Sequence, residues 1–212
     1  KNYRLIDFVI LNALKSNFLS KKNIFILTSQ NKNNFKLINY IKSKYDLKII
    51  AGSEKNVLNR YLKLEKHNST VLRLTADNPM IDPNLIDKSI LYFKKSNADY
   101  ASSRLRGNLL KLKIKNNYPK GISLEFFKMK TLLKFRKKFN KRNWEYPTWF
   151  FYNKTFKGKT RKIKLFNDYS NVDNFSFTID TKQDLERLKN LITKYQLKPG
   201  ENNFKKYIKN LK

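Results

Sequence analysis

A regular alternation of short apolar segments and amphipathic segments over the first hundred residues constrains the fold most strongly. The apolar segments have the length of buried strands, and the segments between them repeat apolar residues at helical spacing. The predicted strands are residues 23–29, 47–53, 69–77 and 99–103, and the predicted helices are residues 5–14, 33–45, 55–67 and 85–93. This order predicts an α/β protein in which helices cover both faces of a mostly parallel sheet.

The same pattern predicts where a ligand would bind. Right-handed crossovers place the carboxyl ends of parallel strands along one edge of the sheet, and open α/β sheets bind their ligands at that edge. We therefore expect Gly52, Asp77 and Ser102, which end three of the predicted strands, to lie there.

The second half of the chain is less regular. Residues 104–121 are basic and loop-like, and the aromatic segment 144–153 is either core or a partner surface. Strands are predicted at residues 122–129, 161–167 and 174–180, and helices at residues 130–139 and 181–195, with a short terminal helix after them. Thr181 and Asp184 have the spacing of a capping box. With no internal repeat and no low-complexity linker, residues 1–212 are interpreted as one domain.

The composition limits the classes of site and partner. The net charge of +31 is carried mostly by lysines spread along every segment, which is typical of AT-rich codon usage and also of a polyanion-binding surface. Either way, the surface attracts anions such as nucleoside triphosphates. The absence of cysteine excludes disulfides and thiolate metal sites, and a single histidine argues against a zinc site or a Ser-His-Asp triad. No apolar run approaches the roughly 18 to 20 residues of a membrane span.

Two aspartates each follow an apolar strand pattern. Asp77 lies in "RLTADNPMIDP" and Asp180 ends "FTID", just before the predicted helix cap at Thr181. Two carboxylates at neighbouring strand ends suit Mg²⁺, which takes few protein carboxylates and bridges to substrate phosphates. Aspartate is also a common turn and cap residue. The residues alone leave both interpretations open.

Five ordered blocks then give a resemblance that covers nearly the whole chain. They are "GSEKNVLNRY" (52–61), "RLTADNPMIDPNLID" (73–87), "YPKGISLEFF" (118–127), "WEYPTWFFY" (144–152) and "FTIDTKQDL" (177–185). Together they resemble the acylneuraminate cytidylyltransferase family, most closely its branch of spore-coat polysaccharide biosynthesis protein F. The resemblance implies a nucleotide-diphosphosugar-transferase fold, which is a Rossmann-like three-layer sandwich with a mostly parallel central sheet.

The resemblance also implies a reaction. A hydroxyl of a sugar or sugar acid attacks the α-phosphate of CTP in the presence of Mg²⁺, giving a CMP-sugar and pyrophosphate for cell-surface polysaccharide or glycan synthesis. By position, the catalytic and metal-binding residues are Asp77 and Asp180, the nucleotide-binding residues are Arg73, Thr75 and Arg60, and the substrate-binding residues are Lys120, Glu125 and Tyr146. A cytoplasmic enzyme is expected, without a membrane partner and without nucleic acid. Members of this family often form homodimers, so the resemblance also raises a homodimer as an expectation.

The chain departs from the family pattern in ways that affect these expectations. Ala76, Ser123, Tyr146 and Ser176 stand where the family usually has Gly, Asp, His and Arg. Three of these changes lie around the expected sugar pocket, so the sequence does not identify the sugar. The family's first strand and a loop similar to "ARMGSTRLPGK", which cradles the triphosphate, should precede Lys1. We therefore expect the chain to be N-terminally truncated, and inactive without that loop.

Three alternatives stay open from the sequence. The first is a sugar nucleotidyltransferase that uses another nucleotide on the same fold. The second is a basic module that binds RNA or an acidic polysaccharide, favoured by stretches such as "FRKKFNKRNWEY" (135–146). The third is a homologue that keeps the fold and has lost turnover.

Overall fold

A computed structural model describes residues 3–67, 69–104, 119–153, 155–163 and 175–208. Its helices are α1 (Leu5–Leu14), α2 (Phe35–Tyr45), α3 (Val57–Leu62), α4 (Pro83–Ser96), α5 (Met129–Phe135), α6 (Lys182–Tyr195) and α7 (Phe204–Ile208). Its strands are β1 (Phe25–Ser29), β2 (Lys48–Gly52), β3 (Thr70–Arg73), β4 (Tyr100–Ser102), β5 (Glu125–Lys128) and β6 (Thr160–Lys162). The predicted α/β class is confirmed. Within these ranges, no helix has both the length and the apolar character needed to cross a membrane.

The strands form two sheets where the sequence predicted one mostly parallel sheet. β1 and β2 pair in parallel, and the other four strands follow the order β3-β5-β4-β6. β5 runs antiparallel to both of its neighbours, whereas β4 and β6 are parallel. The prediction of a single mostly parallel sheet therefore needs correction for the described strands. Hydrophobic periodicity identifies a strand and its buried face, but it carries no information about direction.

Helix ends follow the sequence signals closely. Asp82 caps α4 by accepting a hydrogen bond from the backbone N–H of Leu85 at 2.9 Å, and Pro83 occupies the first turn, where a missing N–H does no harm. Thr181 and Asp184 form the predicted capping box at the start of α6. These local hydrogen bonds define where α4 and α6 begin.

Two predicted elements differ from the structure. The helix predicted to reach residue 67 ends at Leu62 and continues as a 3₁₀ turn, Glu65–His67, which brings the His67 ring to 4.8 Å from that of Phe25. Of the strand predicted at residues 174–180, the described residues 175–180 form one bridge, from Ser176 to Lys120, and their other backbone hydrogen bonds go to loops. Residues 105–118, 164–167 and 174, on which other predictions fell, lie outside the described residues.

β5 joins the two main parts of the core. Phe126 points to one side, where its ring stacks on Phe93 with centroids 5.1 Å apart. Phe127 points to the other side and stacks on Phe151 at 5.5 Å. Phe150 and Phe151 are buried, so the aromatic segment 144–153 contributes to the core and is not wholly a partner surface. Truncating such a buried phenylalanine to alanine typically costs about 3–5 kcal/mol.

A cleft of about 740 Å³ separates the two sheets. Within the described residues, β1 pairs with β2 alone and β3 pairs with β5 alone, so each strand presents an unpaired edge to the cleft. The contact between His67 and Phe25 places the starts of β1 and β3 at the same end of the cleft. α1 lies along the cleft, which it lines with Ile6, Val9, Ile10 and Ala13.

α1 is attached to α2 through the buried carboxylate of Asp7. This carboxylate accepts hydrogen bonds from the hydroxyls of Tyr40 and Tyr45, the ammonium of Lys44 and the backbone N–H of Arg4. Burial alone would raise the pKa of Asp7, but these hydrogen bonds lower it below the usual carboxylate value. A buried charge is tolerated only when it is satisfied in this way.

We predict that Asp7→Asn lowers the free energy of unfolding by about 2 kcal/mol near neutral pH, because a charge-assisted network is lost. Since the folded-state pKa of Asp7 is lowered, its contribution is complete above the usual aspartate pKa of about 3.9 and is lost as the pH falls through the folded pKa. Urea unfolding of both proteins measured from pH 7 down to pH 3 checks this. The stability gap should narrow towards the acid end, and a constant gap would contradict the assignment.

Candidate functional site

The turn after β3 presents Asp77 next to the cleft. The Asn78 side chain donates to Thr75 Oγ1 at 2.7 Å and its backbone N–H donates to the Thr75 carbonyl at 3.1 Å, which closes the turn around Asp77. Asn12 of α1 donates to the carbonyl of Ile81 at 2.7 Å, which attaches the segment after the Asp77 turn to α1. Asp77 is half-buried, and its Oδ1 is buried without a hydrogen-bond partner among the described residues. A buried carboxylate oxygen without a donor is costly unless a ligand satisfies it.

A backbone hydrogen bond brings the second acid to this turn. The N–H of Ile179 donates to the Asp77 carbonyl at 2.9 Å, so the residue before Asp180 is tied directly to Asp77. The Asp180 side chain is 55% exposed and lies at the start of α6. The amino end of a helix carries partial positive charge, which favours a carboxylate or a phosphate there.

Lys120, which the resemblance assigned to the sugar, lies beside Asp180. Its ammonium is 2.9 Å from Asp180 Oδ2, and its backbone exchanges hydrogen bonds with Phe175 and Phe177 at 3.0 and 2.7 Å. The next residue, Gly121, has φ of +89°, and a Cβ there would lie 2.3 Å from the backbone nitrogen of Thr178. Only glycine therefore allows the two segments to pack this closely.

Arg73 and Glu125 meet each other in the structure. They are direct cross-strand partners of β3 and β5, and Nη1 of Arg73 is 2.7 Å from Oε2 of Glu125. Glu125 is only 3% exposed. Its carboxylate therefore faces Arg73 in the interior, and the role expected for it at sugar hydroxyls has no exposed oxygen to support it.

Arg60 crosses the end of β2. A Cβ at Gly52 would lie 2.8 Å from Cγ of Arg60, so the glycine makes room for the arginine to pass. Nε of Arg60 is buried without an acceptor among the described residues, and burial lowers the pKa of this side chain. Its guanidinium is thus held near the carboxyl end of β2, on the edge where the sequence placed the nucleotide.

Thr75 and Tyr146 complete the predicted set. The hydroxyl of Thr75 is the acceptor that closes the Asp77 turn, so Thr75 lies next to the acids. Tyr146 is 52% exposed at the surface of the aromatic segment, and within the described residues its side chain is not brought against the two acids.

The two acids fit a Mg²⁺ ion, although the described residues contain no cluster of three or more carboxylate, histidine or cysteine ligands. Asp77 offers a buried oxygen that lacks a donor among the described residues, and Asp180, the next residue after Ile179, offers an exposed carboxylate. Mg²⁺ typically uses one or two protein carboxylates, with water and phosphate oxygens as the other ligands. The donor set present is therefore sufficient for the ion.

Solved structures with a similar fold agree with this architecture. A cytidylyltransferase from Leptospira borgpetersenii serovar Hardjo-bovis aligns with a TM-score of 0.82 at 20% identity, over 100% of this chain and 85% of that one. The 4-diphosphocytidyl-2C-methyl-D-erythritol synthase of Anaerococcus prevotii aligns with a TM-score of 0.56 at 16% identity, over 89% of both chains. At these identities the likeness shows the fold alone.

The sequence comparisons decide the family. The family model described as cytidylyltransferase matches residues 1–207. The chain belongs to the cytidylyltransferase family. Two curated relatives have similar sequences. An uncharacterized protein of Methanocaldococcus jannaschii is 34% identical over 105 residues. The spore coat polysaccharide biosynthesis protein SpsF of Bacillus subtilis is 29% identical over 100 residues. These matches cover 48% and 46% of this chain and 42% of each relative, so they span less than half of either relative.

Sequence reasoning missed the partners of Arg73 and Glu125. Glu125 also accepts hydrogen bonds from Tyr100 and Thr148, which the sequence assigned to a strand and to an aromatic block without a role. The sequence identified the segments that contain Tyr100 and Thr148, but it did not predict the cross-strand register that joins them to Glu125.

We predict that Gly121→Ala destabilises the protein and displaces Asp180. The substitution combines a strained positive φ with a backbone clash against Thr178, and we expect it to lower the free energy of unfolding by about 3 kcal/mol or more. Gly200→Ala is the matched control, because Gly200 also has positive φ, at +84°, while its nearest contact is the flexible Lys15 side chain at 3.1 Å. The control should lose only about 1 kcal/mol. Equal losses in denaturant unfolding would contradict the clash.

Proposed function

We propose that this protein is a Mg²⁺-dependent nucleotidyltransferase that couples CTP to a sugar or sugar acid for cell-surface polysaccharide synthesis in the cytoplasm. Support comes from the family match over residues 1–207 and from a relative named for spore coat polysaccharide biosynthesis. The observation that carries the proposal is the buried oxygen of Asp77, which has no hydrogen-bond partner in the described part of the chain, together with the backbone link through Ile179 to the exposed Asp180.

The proposed reaction replaces a phosphoanhydride bond of CTP by a phosphodiester bond to the sugar. The sugar hydroxyl oxygen forms a bond to the α-phosphorus of CTP, the bond to the bridging oxygen breaks, pyrophosphate leaves and the hydroxyl proton passes to water. Asp77 and Asp180 would hold Mg²⁺, which when bound offsets negative charge on the α-phosphate. Lys120, already at 2.9 Å from Asp180, adds a positive charge beside the reacting phosphate.

Other residues receive nucleotide and sugar roles in this proposal. Arg73 and Arg60 supply positive charge near the carboxyl ends of β3 and β2, and Thr75 shapes the turn that the nucleotide meets. Tyr146, exposed and aromatic, offers a surface on which a sugar ring can pack. The net charge of +31 favours the approach of a triphosphate. Homodimer formation stays a prediction.

We also propose that one additional strand of the domain occupies the cleft between β1 and β3, in agreement with the first strand that the resemblance implies. Both facing edges are unpaired within the described residues, and the two strands start at the same end of the cleft. A parallel strand there, followed by α1 and then β1, would complete a β-α-β unit and unite the two sheets. A phosphate-binding loop between that strand and α1 would then open near Arg73 and Ala76, which line the cleft.

The proposed function is tested by measuring pyrophosphate release from CTP with Mg²⁺ and a panel of sugars and sugar acids. The protein is expressed from its native gene with any sequence that precedes Lys1. We expect sugar-dependent release, and we expect Asp77→Asn and Asp180→Asn each to lower the rate by about 10²-fold or more, because a charge partner of the transition state is lost.

Asp46→Asn is the matched control for these variants. Asp46 is an exposed residue with φ of 53° at the end of α2, a conformation that asparagine adopts readily, so its rate should not change. If pyrophosphate is released from a different nucleoside triphosphate and not from CTP, that nucleotide replaces CTP as the proposed substrate. No release with any triphosphate, or unchanged rates in both acid variants, would contradict it.

A further inference from the structure

The sheet formed by β3, β5, β4 and β6 contains a buried carboxylate, that of Glu125 in β5. Glu125 is 3% exposed, although removing a carboxylate from water costs several kcal/mol unless partners replace the lost hydration. Its Oε2 is held by Arg73 at 2.7 Å. Its Oε1 accepts from the Tyr100 hydroxyl at 2.8 Å and from Thr148 Oγ1 at 3.2 Å. Three separate parts of the chain thus converge on one side chain.

Tyr100 and Thr148 are themselves held rigidly. The Tyr100 ring is fully buried and stacks on Phe151 with centroids 5.0 Å apart and planes at 5°. Burial, together with the charge of Glu125, raises the pKa of Tyr100, so its hydroxyl stays protonated and donates. Thr148 is buried and precedes the 3₁₀ turn Trp149–Tyr152. Both donors therefore have fixed positions relative to Glu125.

The fixed carboxylate in turn fixes Arg73. Tyr61 lines the same cleft and interacts electrostatically with Arg73 from a second element, α3. The Arg73 side chain is still 23% exposed and lines the cleft next to Ala76, one residue before Asp77. Nε of Arg73 has no acceptor among the described residues. A guanidinium that is clamped in this way loses little further freedom when it binds an oxygen anion.

We propose that Tyr100 and Thr148 are positioning residues for nucleotide binding, and that Glu125 acts through Arg73 and not by contacting the sugar. This inference rests on the proposed function of the site. The hydroxyls orient the Glu125 carboxylate, the carboxylate orients the Arg73 guanidinium, and the guanidinium presents its open side to an oxygen of the nucleoside triphosphate in the cleft. A network that served stability alone would affect unfolding but not nucleotide affinity.

Three substitutions, two at Thr148 and one at Thr131, distinguish a positioning role from a purely stabilising one. Thr148→Val removes the hydroxyl at nearly constant volume, and Thr148→Ser restores it. The matched control is Thr131→Val, since Thr131 is also buried and also donates to a carboxylate, Asp99 Oδ1, at the same 3.2 Å, without contact to Arg73. Each variant leaves one carboxylate short of one neutral donor, but the Asp99 side chain is 28% exposed whereas that of Glu125 is 5% exposed. Thr131→Val should therefore lose no more stability than Thr148→Val.

The experiment measures the Kd of CTP with Mg²⁺ by calorimetry on the protein expressed from its native gene, together with the NMR signal of the Arg73 Nε–H group. In Thr148→Val and Tyr100→Phe, we expect the Kd of CTP to rise by on the order of tenfold and the Arg73 signal to broaden. Thr148→Ser should stay close to wild type in both readouts. Thr131→Val should lose stability with an unchanged Kd and an unchanged Arg73 signal.

The two readouts distinguish the possible failures. An unchanged Arg73 signal in both Thr148→Val and Tyr100→Phe would overturn the inference, and so would a rise in Kd no larger than that of Thr131→Val. If the wild-type protein binds no nucleoside triphosphate, the proposed function fails and the nucleotide part of the inference fails with it. The Arg73 signal then still decides whether the two hydroxyls orient the guanidinium.

Discussion

The candidate site depends on one backbone hydrogen bond, from the N–H of Ile179 to the carbonyl of Asp77 at 2.9 Å. This bond joins the turn after β3 to the segment that starts α6, although the two are far apart in sequence. Gly121 makes the junction possible, because the backbone of residues 177 and 178 occupies the space that any Cβ at that position would need. The packing of Gly121 against residues 177 and 178 also brings the preceding residue, Lys120, to Asp180. A turn, a glycine and a helix cap thus place two carboxylates and one ammonium within one small region.

A second constraint comes from the reversal of β5. Because β5 runs antiparallel between β3 and β4, Glu125 lies opposite Arg73 on one side and Ser102 on the other. The alternation of side chains along β5 then sends Phe126 and Phe127 into different parts of the core. The same strand therefore anchors the hydrophobic packing and holds the buried ion pair. Electrostatics at the site come from these few fixed contacts, whereas most of the net charge of +31 is carried by lysines distributed along the chain.

Much of this arrangement could be predicted from the sequence, and the rest could not for identifiable reasons. The apolar periodicity of residues 23–29 and 33–45 and the capping box at Thr181 depend on local interactions, and these elements formed where predicted. The direction of β5 and the partner of Glu125 depend on register between distant segments, which no local pattern encodes. The segment ending at Asp180 is extended as predicted but pairs with loops, since its neighbours are the Asp77 turn and Lys120. The family resemblance supplied the pairing of Asp77 with Asp180, which spacing alone had left open.

The most direct test of the central claim is a crystal structure of the protein, expressed from its native gene, with CTP and Mn²⁺ as an anomalous substitute for Mg²⁺. We predict an anomalous peak bound by the carboxylates of Asp77 and Asp180, with phosphate oxygens of the nucleotide completing the coordination. We also predict that the open side of Arg73 contacts the nucleotide. A nucleotide bound elsewhere, or one bound in the cleft without metal at the two aspartates, would contradict the proposed site.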